Sequence, residues 1–259
     1  MNQNDILRVA LNQSALDCSC QPEDFLNVEN GYFESKPCEG ARKYLSLPHV
    51  LDLVSYGTNI VACGKKELLP KINACLKGIG NVERCFETPS LYLINRLLED
   101  ENAEICFMAE YFLPDLTLVS DFEGGCPFTL KTLVQGEFQK LYLPEWSNAL
   151  CEKRKELDVL GVGAFDGERL IGLAACSADC DTMWQIGVDV LPEYRRMGVA
   201  SAITNRLARE ILAHGRVPFY CAAWSNVKSV RNALKSGFLP AWVEITAKPK
   251  EYTEGLLKK

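Results

Sequence analysis

The sequence has few histidines and no long apolar run, and these absences exclude several classes of protein. His49 and His214 are the only histidines among 259 residues, and no CxxC pair occurs. Structural zinc sites show tightly spaced cysteine or histidine pairs, so we expect no metal site. No apolar run reaches the ~18 residues of a transmembrane helix, so we expect no membrane partner. The polar N-terminal residues 1–5 also lack the basic and apolar regions of a secretion signal.

Basic residues are scarce in the first half of the chain. Residues 1–130 carry 10 basic and 19 acidic side chains, whereas residues 131–259 carry 18 and 15. No basic patch with interleaved aromatic residues occurs, so we expect no nucleic acid partner. The mildly basic half suits an anionic ligand, and the acidic half would attract a cationic molecule such as an amine. Ordinary solvation of the surface explains the same asymmetry without any partner.

Cysteines, by contrast, are abundant, with twelve at irregular spacings. Cys18 and Cys20 form a CxC pair, and Cys176 and Cys180 lie four positions apart. Without a regular framework, such residues are typical of reduced, mostly buried thiols in a cytoplasmic protein. The Cys18–Cys20 pair is the alternative candidate for metal or redox chemistry.

Hydrophobic periodicity predicts an α/β fold in two domains. The glycine- and proline-containing segment 123–127 is the boundary, so we predict an N-terminal α/β domain over 1–125 with an acceptor-side or structural role, and a C-terminal domain over 126–259. Predicted helices cover 5–16, 66–77, 89–101, 146–157, 199–213 and 226–235. Predicted strands cover 51–55, 59–63, 104–111 (resuming over 116–120), 159–165, 170–175, 183–190, 218–224 and 238–245. In the second half this order gives a mixed sheet with flanking helices.

The most informative segment is 188–201, in which a β-rich run leads through a basic glycine turn into a helix. Arg195, Arg196 and Gly198 form the turn. The first turn of a helix leaves backbone N–H groups without internal partners, and the helix dipole adds positive charge there. A glycine lets a phosphate approach the backbone, and arginines add charge beside it. The segment therefore predicts a site for a phosphorylated cofactor.

Two motifs in this half resemble those of the GNAT N-acyltransferase superfamily. The turn at 195–200 is similar to that family's Gln/Arg-x-x-Gly-x-Gly/Ala sequence and follows a strand that ends Val-x-Val-x-Pro-x-Tyr at 188–194. The second motif comprises Asn226, Ser229 and Gly237-Phe238, which closes a short helix. The resemblance covers about residues 145–245. The pairing of this half with the first half resembles a two-part bacterial GNAT subgroup.

This resemblance implies that the chain transfers an acetyl group from acetyl-CoA to a primary amine of a small molecule or peptide by direct attack. Amides of the turn would bind the pyrophosphate, the strand before it would pair with the pantetheine arm, and the second motif would hold the pantetheine or adenylate side. The thioester would lie near a gap between this strand and the strand at 218–224. The implied cofactor-binding residues are Val188, Asp189, Val190, Arg195, Arg196, Met197, Gly198, Val199, Ala200, Ser201, Asn226 and Ser229.

The catalytic residues are less well defined, because Ala233 stands where the family commonly has a tyrosine that donates a proton to the leaving group. Tyr220 and Cys221 on the preceding strand are the substitutes as proton donor to the leaving thiolate, and core packing is the alternative role of each. Asp189 is the first candidate for the base, with a water chain to a distant carboxylate as an equal alternative. Further candidates for the base are the carboxylates of Glu110, Asp115, Asp179 and Asp181. Trp184 and Trp224 either line the acceptor pocket or pack in the core.

Ala233 also leaves a second interpretation open, namely a protein that binds acyl-CoA as a sensor or interaction partner without turnover. Aminoacyl transfer from tRNA on the same fold is a third interpretation, and the lack of a large basic surface argues against it. We expect a cytoplasmic protein, with homodimerisation as an open alternative to a monomer.

Overall fold

In residues 1–257, which the computed structural model describes, the chain forms seven α-helices and ten strands. The helices are α1 (Gln3–Cys18), α2 (Leu69–Ile79), α3 (Thr88–Leu98), α4 (Leu116–Ser120), α5 (Val199–Ala213), α6 (Val227–Lys235) and α7 (Lys250–Leu257). The strands are β1 (Gly31–Glu34), β2 (Leu51–Ser55), β3 (Val61–Gly64), β4 (Ala103–Pro114), β5 (Thr129–Val134), β6 (Asp158–Asp166), β7 (Arg169–Ser177), β8 (Met183–Val190), β9 (Val217–Ala223) and β10 (Phe238–Pro249). Short 3₁₀ helices lie at Pro22–Phe25, Glu83–Phe86, Glu99–Glu101, Gln135–Lys140, Pro144–Trp146, Glu152–Leu157 and Pro192–Tyr194.

The chain divides into two compact units, each built from two chain segments. The first unit comprises Met1–Val9 and Tyr111–Pro240, and the second comprises Ala10–Glu110 and the described residues from Ala241 onwards. The domains predicted over 1–125 and 126–259 have a single boundary instead, because one glycine-rich segment carries no information about distant segments that pack together. The roles assigned to those two domains stay predictions.

In the first unit, a mixed sheet packs against α5, as the sequence predicts. Its strands follow the order β9-β8-β7-β6-β5, in which β8 and β9 are parallel and the other neighbours are antiparallel. Helix α5 buries Val199, Ile203, Leu207 and Ile211, which recur every four residues and therefore share one face. Full burial of each such side chain stabilises the fold by ~1.5–3 kcal/mol. The sheet and α5 thus fix the strand-turn-helix segment in place.

In the second unit, α2 and α3 pack on a smaller sheet. Strands follow the order β1-β3-β2-β10, with β1 parallel to β3 and the other neighbours antiparallel. Ile72 and Leu76 from α2 and Ile94 and Leu98 from α3 are buried in one cluster with the sheet. Their spacing of four residues is the apolar stripe from which both helices are predicted.

The segment Leu116–Ser120 is helix α4, so the prediction that a strand resumes there is wrong. Asp115 precedes the segment in extended backbone, and its Oδ1 accepts a hydrogen bond from the Leu118 amide at 2.9 Å. This side-chain cap satisfies an amide of the first helical turn. The apolar residues of the segment fit either structure, and the preceding aspartate decides in favour of the helix.

The predicted helix over 146–157 is also wrong, because 3₁₀ helices at Pro144–Trp146 and Glu152–Leu157 replace it. Two carboxylates from outside the segment accept hydrogen bonds from its backbone amides. The Ala149 amide donates to Asp189 and the Cys151 amide donates to Asp158, each at 2.9 Å. Amides engaged in this way do not form the i→i−4 bonds of an α-helix.

All twelve cysteines are free thiols. Burial raises the pKa of Cys20 to about 12, so this thiol stays protonated at neutral pH and is a poor nucleophile. Within residues 1–257, no group of three or more histidine, cysteine or acidic side chains is arranged to hold a metal ion. The same residues include no helix that is long and apolar enough to cross a membrane.

Candidate functional site

Strands β8 and β9 run side by side only at their beginnings. Their parallel register extends from Met183–Val217 to Ile186–Tyr220. Beyond this point β8 continues to pair with β7 as far as Val190, and the described residues show no further pairing with β9. One backbone edge of 187–190 therefore faces a gap, which an extended ligand can fill by main-chain hydrogen bonding.

The turn after β8 has a left-handed backbone at two positions. Arg196 has φ 64° and Gly198 has φ 81°, and Gly198 is the N-cap of α5. In the described chain, the amides of Arg196, Met197 and Gly198 donate no hydrogen bond. The first-turn amides of α5 also have no intrahelical acceptor. Such consecutive N–H groups form a concave cradle for an anion.

A second segment lies directly against this turn. A Cβ atom added at Gly198 would lie 2.7 Å from the carbonyl oxygen of Gly125. Glycine is therefore required at 198 for two reasons, the positive φ and the close approach of Gly125. The glycine-rich segment that the sequence marks as a boundary is thus a wall of the candidate site.

The two arginines of the turn are exposed, but they have different surroundings. Arg195 donates from Nε to the Val190 carbonyl oxygen at 3.2 Å, so it is held against the end of β8. Arg196 makes no ion pair among the residues described. On the strand side, Tyr194 donates to Asp166 at 2.9 Å, which anchors the turn to the β6–β7 hairpin. The arrangement leaves the Arg196 guanidinium available to an anion.

A cavity of about 320 Å³ opens beside the first turn of α5. Its walls are formed by Leu118, Phe122, Glu123, Gly124, Ser201, Leu234, Lys235 and Gly237. Apolar and aromatic side chains with a few polar groups are typical of small-molecule sites of this size. The ring, the hydroxyl group and the lysine suit a nucleoside-sized group that carries a phosphate.

Asn226 and Ser229 of the second motif make contacts within the protein. The Asn226 Oδ1 caps α6 by accepting a hydrogen bond from the Ser229 amide at 3.2 Å, which leaves its Nδ2 as a donor for a ligand. The Ser229 hydroxyl lies 2.8 Å from the Tyr220 hydroxyl. The predicted cofactor residue Ser229 and the predicted acid Tyr220 are therefore joined by a hydrogen bond.

The Tyr220 ring occupies the core beneath the gap. Its side chain is 2% exposed and packs with Phe238, Phe112 and the fully buried Ala233 in one cluster. Burial raises the pKa of the Tyr220 phenol, and hydrogen bonds to Ser229 and Asn232 oppose the rise. The phenol is thus protonated at neutral pH and lies on the last residue that β9 pairs with β8.

The Asp189 side chain lies on the face of β8 opposite to that of Ile186, which pairs with Tyr220, as the alternation of side chains along a strand requires. Its carboxylate accepts hydrogen bonds from the Asn148 amide at 2.8 Å, the Asn148 Nδ2 at 2.7 Å and the Ala149 amide at 2.9 Å. These bonds favour a role in holding segment 148–149 against β8. The assignment of Asp189 as a base stays a prediction. Cys221, next to Tyr220 on β9, is half-buried and faces the same side as Asp189.

The other candidate residues are dispersed. Asp115 caps α4, and Asp179 is buried in an ion pair with Arg154. Trp184 is partly buried against the core of the first unit, whereas Trp224 is 52% exposed at the end of β9. Glu110 belongs to the second unit, and Asp181 is exposed.

Three residues of the site lie outside the motifs from which the sequence predicts it. Gly125 contacts the turn, Asn148 holds Asp189, and Asn232 donates from Nδ2 to the Thr204 hydroxyl at 3.1 Å beneath α6. The spacing of Ser229 and Asn232, three residues apart on a helix, is the signal that places Asn232 beside Tyr220. The other two contacts join distant segments.

Comparison with known proteins identifies one domain. Residues 128–238 match the model of the acetyltransferase (GNAT) family. A search of curated proteins gave no match. This chain is similar to a GCN5-related N-acetyltransferase-like protein from Streptococcus suis, with 20% identity, a TM-score of 0.45 and coverage of 76% of this chain and 83% of that one.

Two further solved structures are similar. An acetyltransferase of the GNAT family from Colwellia psychrerythraea is 13% identical, with a TM-score of 0.44 and coverage of 74% of this chain and 77% of that one. An aminoglycoside N-acetyltransferase in complex with CoA is 19% identical, with a TM-score of 0.33 and coverage of 44% and 90%. The family match, the parted strands and the turn agree, and residues 128–238 therefore belong to the GNAT superfamily, of which this chain carries a domain.

Proposed function

We propose that the first unit is an N-acetyltransferase that takes an acetyl group from acetyl-CoA and passes it to a primary amine of a small molecule or peptide. The observation that carries the proposal is the parting of β8 and β9 after Ile186–Tyr220, immediately before the turn at Arg196–Ser201. An extended thioester arm fits the open edge of β8, and a pyrophosphate fits the cradle of amides at its end.

In this proposal, each part of the site has one task. The amides of Met197–Ser201 and the Arg196 guanidinium bind the pyrophosphate, with Arg195 held beside them by Val190. The backbone of Val188 to Val190 aligns the pantetheine arm. The cavity that includes Phe122 and Lys235 takes the nucleotide end.

The proton-transfer tasks fall to the faces of β8 and β9. The thioester supplies an acyl group that an uncharged amine can attack directly. Tyr220, held by Ser229, donates the proton that the departing sulfur requires, directly or through the Ser229 hydroxyl. Backbone N–H groups on the open edge of β8 stabilise the developing oxyanion. Water linked to a carboxylate takes the proton of the amine.

Calorimetry combined with thiol release tests this proposal. Acetyl-CoA is titrated into the wild type, into Arg196→Ala and into Arg209→Ala, a matched control because Arg209 is exposed on α5 outside the turn. We expect Arg196→Ala to weaken binding ~10-fold, as the loss of a charge-assisted hydrogen bond would do, and Arg209→Ala to bind like the wild type. Thiol release is then followed over a panel of primary amines. Wild-type protein that fails to bind acetyl-CoA would refute the proposal.

A second candidate function is binding of acyl-CoA without turnover. The engagement of the Asp189 carboxylate by three hydrogen bonds favours it, because no uncommitted base is then present on the key strand. Tight binding of acetyl-CoA without thiol release on any amine of the panel would support this function. Release on even one amine would support the transferase.

A further inference from the structure

A second cavity, of about 590 Å³, lies wholly within the second unit. It is bounded by the segment that leads into β1, by the end of α2 and by the loop after α2. Its lining residues are Val28, Glu29, Asn30, Tyr32, Asn73, Leu76, Lys77, Gly80, Asn81, Val82 and Cys85. Its volume falls within the range of small-molecule sites, and the acetyl-transfer proposal makes no use of it.

Two polar atoms at this cavity are buried without a partner. The Asn73 Oδ1 and the Tyr32 hydroxyl oxygen make no well-aligned hydrogen bond within the described part of the chain, although burial raises the pKa of the Tyr32 phenol and the Asn30 side chain lies close enough to oppose the rise. An unsatisfied buried polar atom costs ~1–3 kcal/mol, and native proteins contain few of them. Two such atoms on one cavity therefore indicate that a polar molecule completes their hydrogen bonds.

The cavity also carries one unpaired charge of each sign. The Glu29 carboxylate and the Lys77 ammonium are exposed and form no ion pair among residues 1–257. Asn30 and Asn81 add amide groups to the same lining. Each of these asparagines already accepts backbone amides at its Oδ1, those of Ile60 and of Glu83 and Arg84, so that the Nδ2 of Asn81 donates no hydrogen bond in the described residues and the Nδ2 of Asn30 lies beside Tyr32.

The walls are held in place before any ligand binds. Asn59 donates from Nδ2 to the carbonyl oxygens of Asp24 and Glu29, at 2.7 and 2.9 Å, and so fixes the segment that carries Glu29 and Asn30. Gly80 ends α2 in a left-handed conformation with φ 76°, and its amide donates to the Leu76 carbonyl. When the walls of a cavity are already ordered, little conformational entropy is lost on binding a ligand.

We propose that this cavity binds a small zwitterion of the amino-acid class. The ligand's ammonium group pairs with Glu29, its carboxylate pairs with Lys77, and its polar atoms satisfy Tyr32 and Asn73. The lining carries one negative and one positive side chain, which does not favour an anion or a cation alone. The cavity shares no residue with the proposed acetyl-CoA site, so either proposal can fail while the other holds.

Calorimetric titration of the full chain with each of the twenty standard amino acids, up to about 10 mM, tests the proposal. We expect at least one to bind, and its N-acetylated amide, which lacks both charges, to bind at least ~10-fold more weakly. Tyr32→Phe, Glu29→Gln and Lys77→Gln should each weaken binding ~5- to 20-fold, the effect of one lost hydrogen bond or ion pair. The matched controls Tyr92→Phe, Glu67→Gln and Lys66→Gln change exposed residues of the same unit outside the cavity.

Thermal unfolding without ligand provides an independent readout. Because the Tyr32 hydroxyl is buried and makes no well-aligned hydrogen bond, Tyr32→Phe should leave the stability unchanged or raise it. Absence of binding by all twenty amino acids would overturn the proposal, since water alone would then satisfy the two atoms. Equal binding of the charged and the N-acetylated forms, or equal binding by the three cavity variants and their controls, would also overturn it.

Discussion

Tyr220 is the residue on which the proposed proton transfer depends. We expect Tyr220→Phe to lower kcat for acetyl transfer ~10- to 100-fold and to leave the Kd for acetyl-CoA unchanged, because the ring still fills the core while the donor is lost. Steady-state kinetics and calorimetry measure the two quantities. Tyr92→Phe is the control, since Tyr92 is exposed in the second unit and is not part of the proposed site. Equal kcat values for Tyr220→Phe and the wild type would remove Tyr220 from the reaction.

A substitution at Asp189 tests whether its carboxylate has a structural role or acts as the base. The residue accepts three hydrogen bonds from Asn148 and Ala149, and an asparagine in its place would lose the charge that strengthens them. We expect Asp189→Asn to lower the unfolding free energy by ~1–3 kcal/mol in urea titrations. The acidic limb of the pH–rate profile should persist. Loss of that limb with unchanged stability would instead assign the base to Asp189.

At the residue scale, the sequence predicted which residues form the turn but not what they contact. The left-handed conformation at Gly198 is one that glycine adopts without steric cost. The bond between Ser229 and Tyr220, and the use of Asp189 by segment 148–149, join residues from different elements. Such pairs depend on the packing of the sheet, which a local motif does not encode.

The N-terminus of α5 is the element that carries the cofactor site. Gly198→Ala places a Cβ at positive φ and 2.7 Å from the Gly125 carbonyl oxygen. We expect it to lower the unfolding free energy by ~1–3 kcal/mol and to weaken acetyl-CoA binding in calorimetry, because the turn must shift. Gly215→Ala is the matched control, since Gly215 also has a positive φ, 71°, but open space around its Cβ. Weakened acetyl-CoA binding in both variants, to the same extent, would contradict the role of the turn.

Some elements were predicted with their observed bounds, among them β2 at Leu51–Ser55, and others were not. Strand β8 at Met183–Val190 and helix α5 at Val199–Ala213 are confirmed to the residue. The predictions for the segments that form α4 and the 3₁₀ helices before β6 were wrong. Hydrogen bonds that Asp115, Asp158 and Asp189 accept from backbone amides decide the conformation of these segments. Side-chain capping is local enough to predict at Asp115, whereas the other two carboxylates follow the segment in sequence and reach it only in the folded chain.

At the scale of the whole molecule, buried ionisable groups of the second unit couple folding to pH. Asp52 and Glu244 are 2% and 4% exposed, and burial raises the pKa of each carboxyl to about 7. Burial lowers the pKa of His49 to about 4. Thr246 donates to Asp52 at 2.7 Å, and Arg42 contacts Glu244 at 3.4 Å. The two carboxyls thus have partners, whereas both ring nitrogens of His49 are buried without one in the described residues, and the charged form of each group is costly.

The two carboxyls and the histidine act in opposite directions. Between pH ~4 and 7 the folded chain holds protons on Asp52 and Glu244 that the unfolded chain has released, so their contribution to stability is lost as pH rises through 7. His49 stays neutral when folded, so its contribution is lost as pH falls below ~6.5. The effect of the two carboxyls on stability exceeds that of the one imidazole. We therefore expect the unfolding free energy to fall as the pH rises from 5 to 7.

Urea titrations at several pH values between 5 and 7.5 measure this dependence. Asp52→Asn should remove a slope of up to ~1.4 kcal/mol per pH unit, the value for one proton. Glu39→Gln, an exposed carboxylate of the same unit, should leave the slope unchanged. A wild-type stability that rises steadily over this range would show that other carboxylates dominate.

The division into two units is the feature of the whole molecule that the sequence left undetermined. Each unit draws on segments more than a hundred residues apart, such as Met1–Val9 with Tyr111–Pro240. Composition marked the segment at 123–127 as a linker, but its Gly125 packs on the cofactor turn. Glycine-rich sequence is compatible with both roles, because it permits close approach as readily as flexibility.

Hydrogen–deuterium exchange with and without acetyl-CoA shows whether the parted strand and the turn together bind the acyl donor. We expect slower exchange of amides at 187–190 and 196–201 on addition of acetyl-CoA, with exchange in the hairpin between β6 and β7 unchanged. Slower exchange elsewhere, with these two segments unaffected, would contradict this role of the strand and the turn.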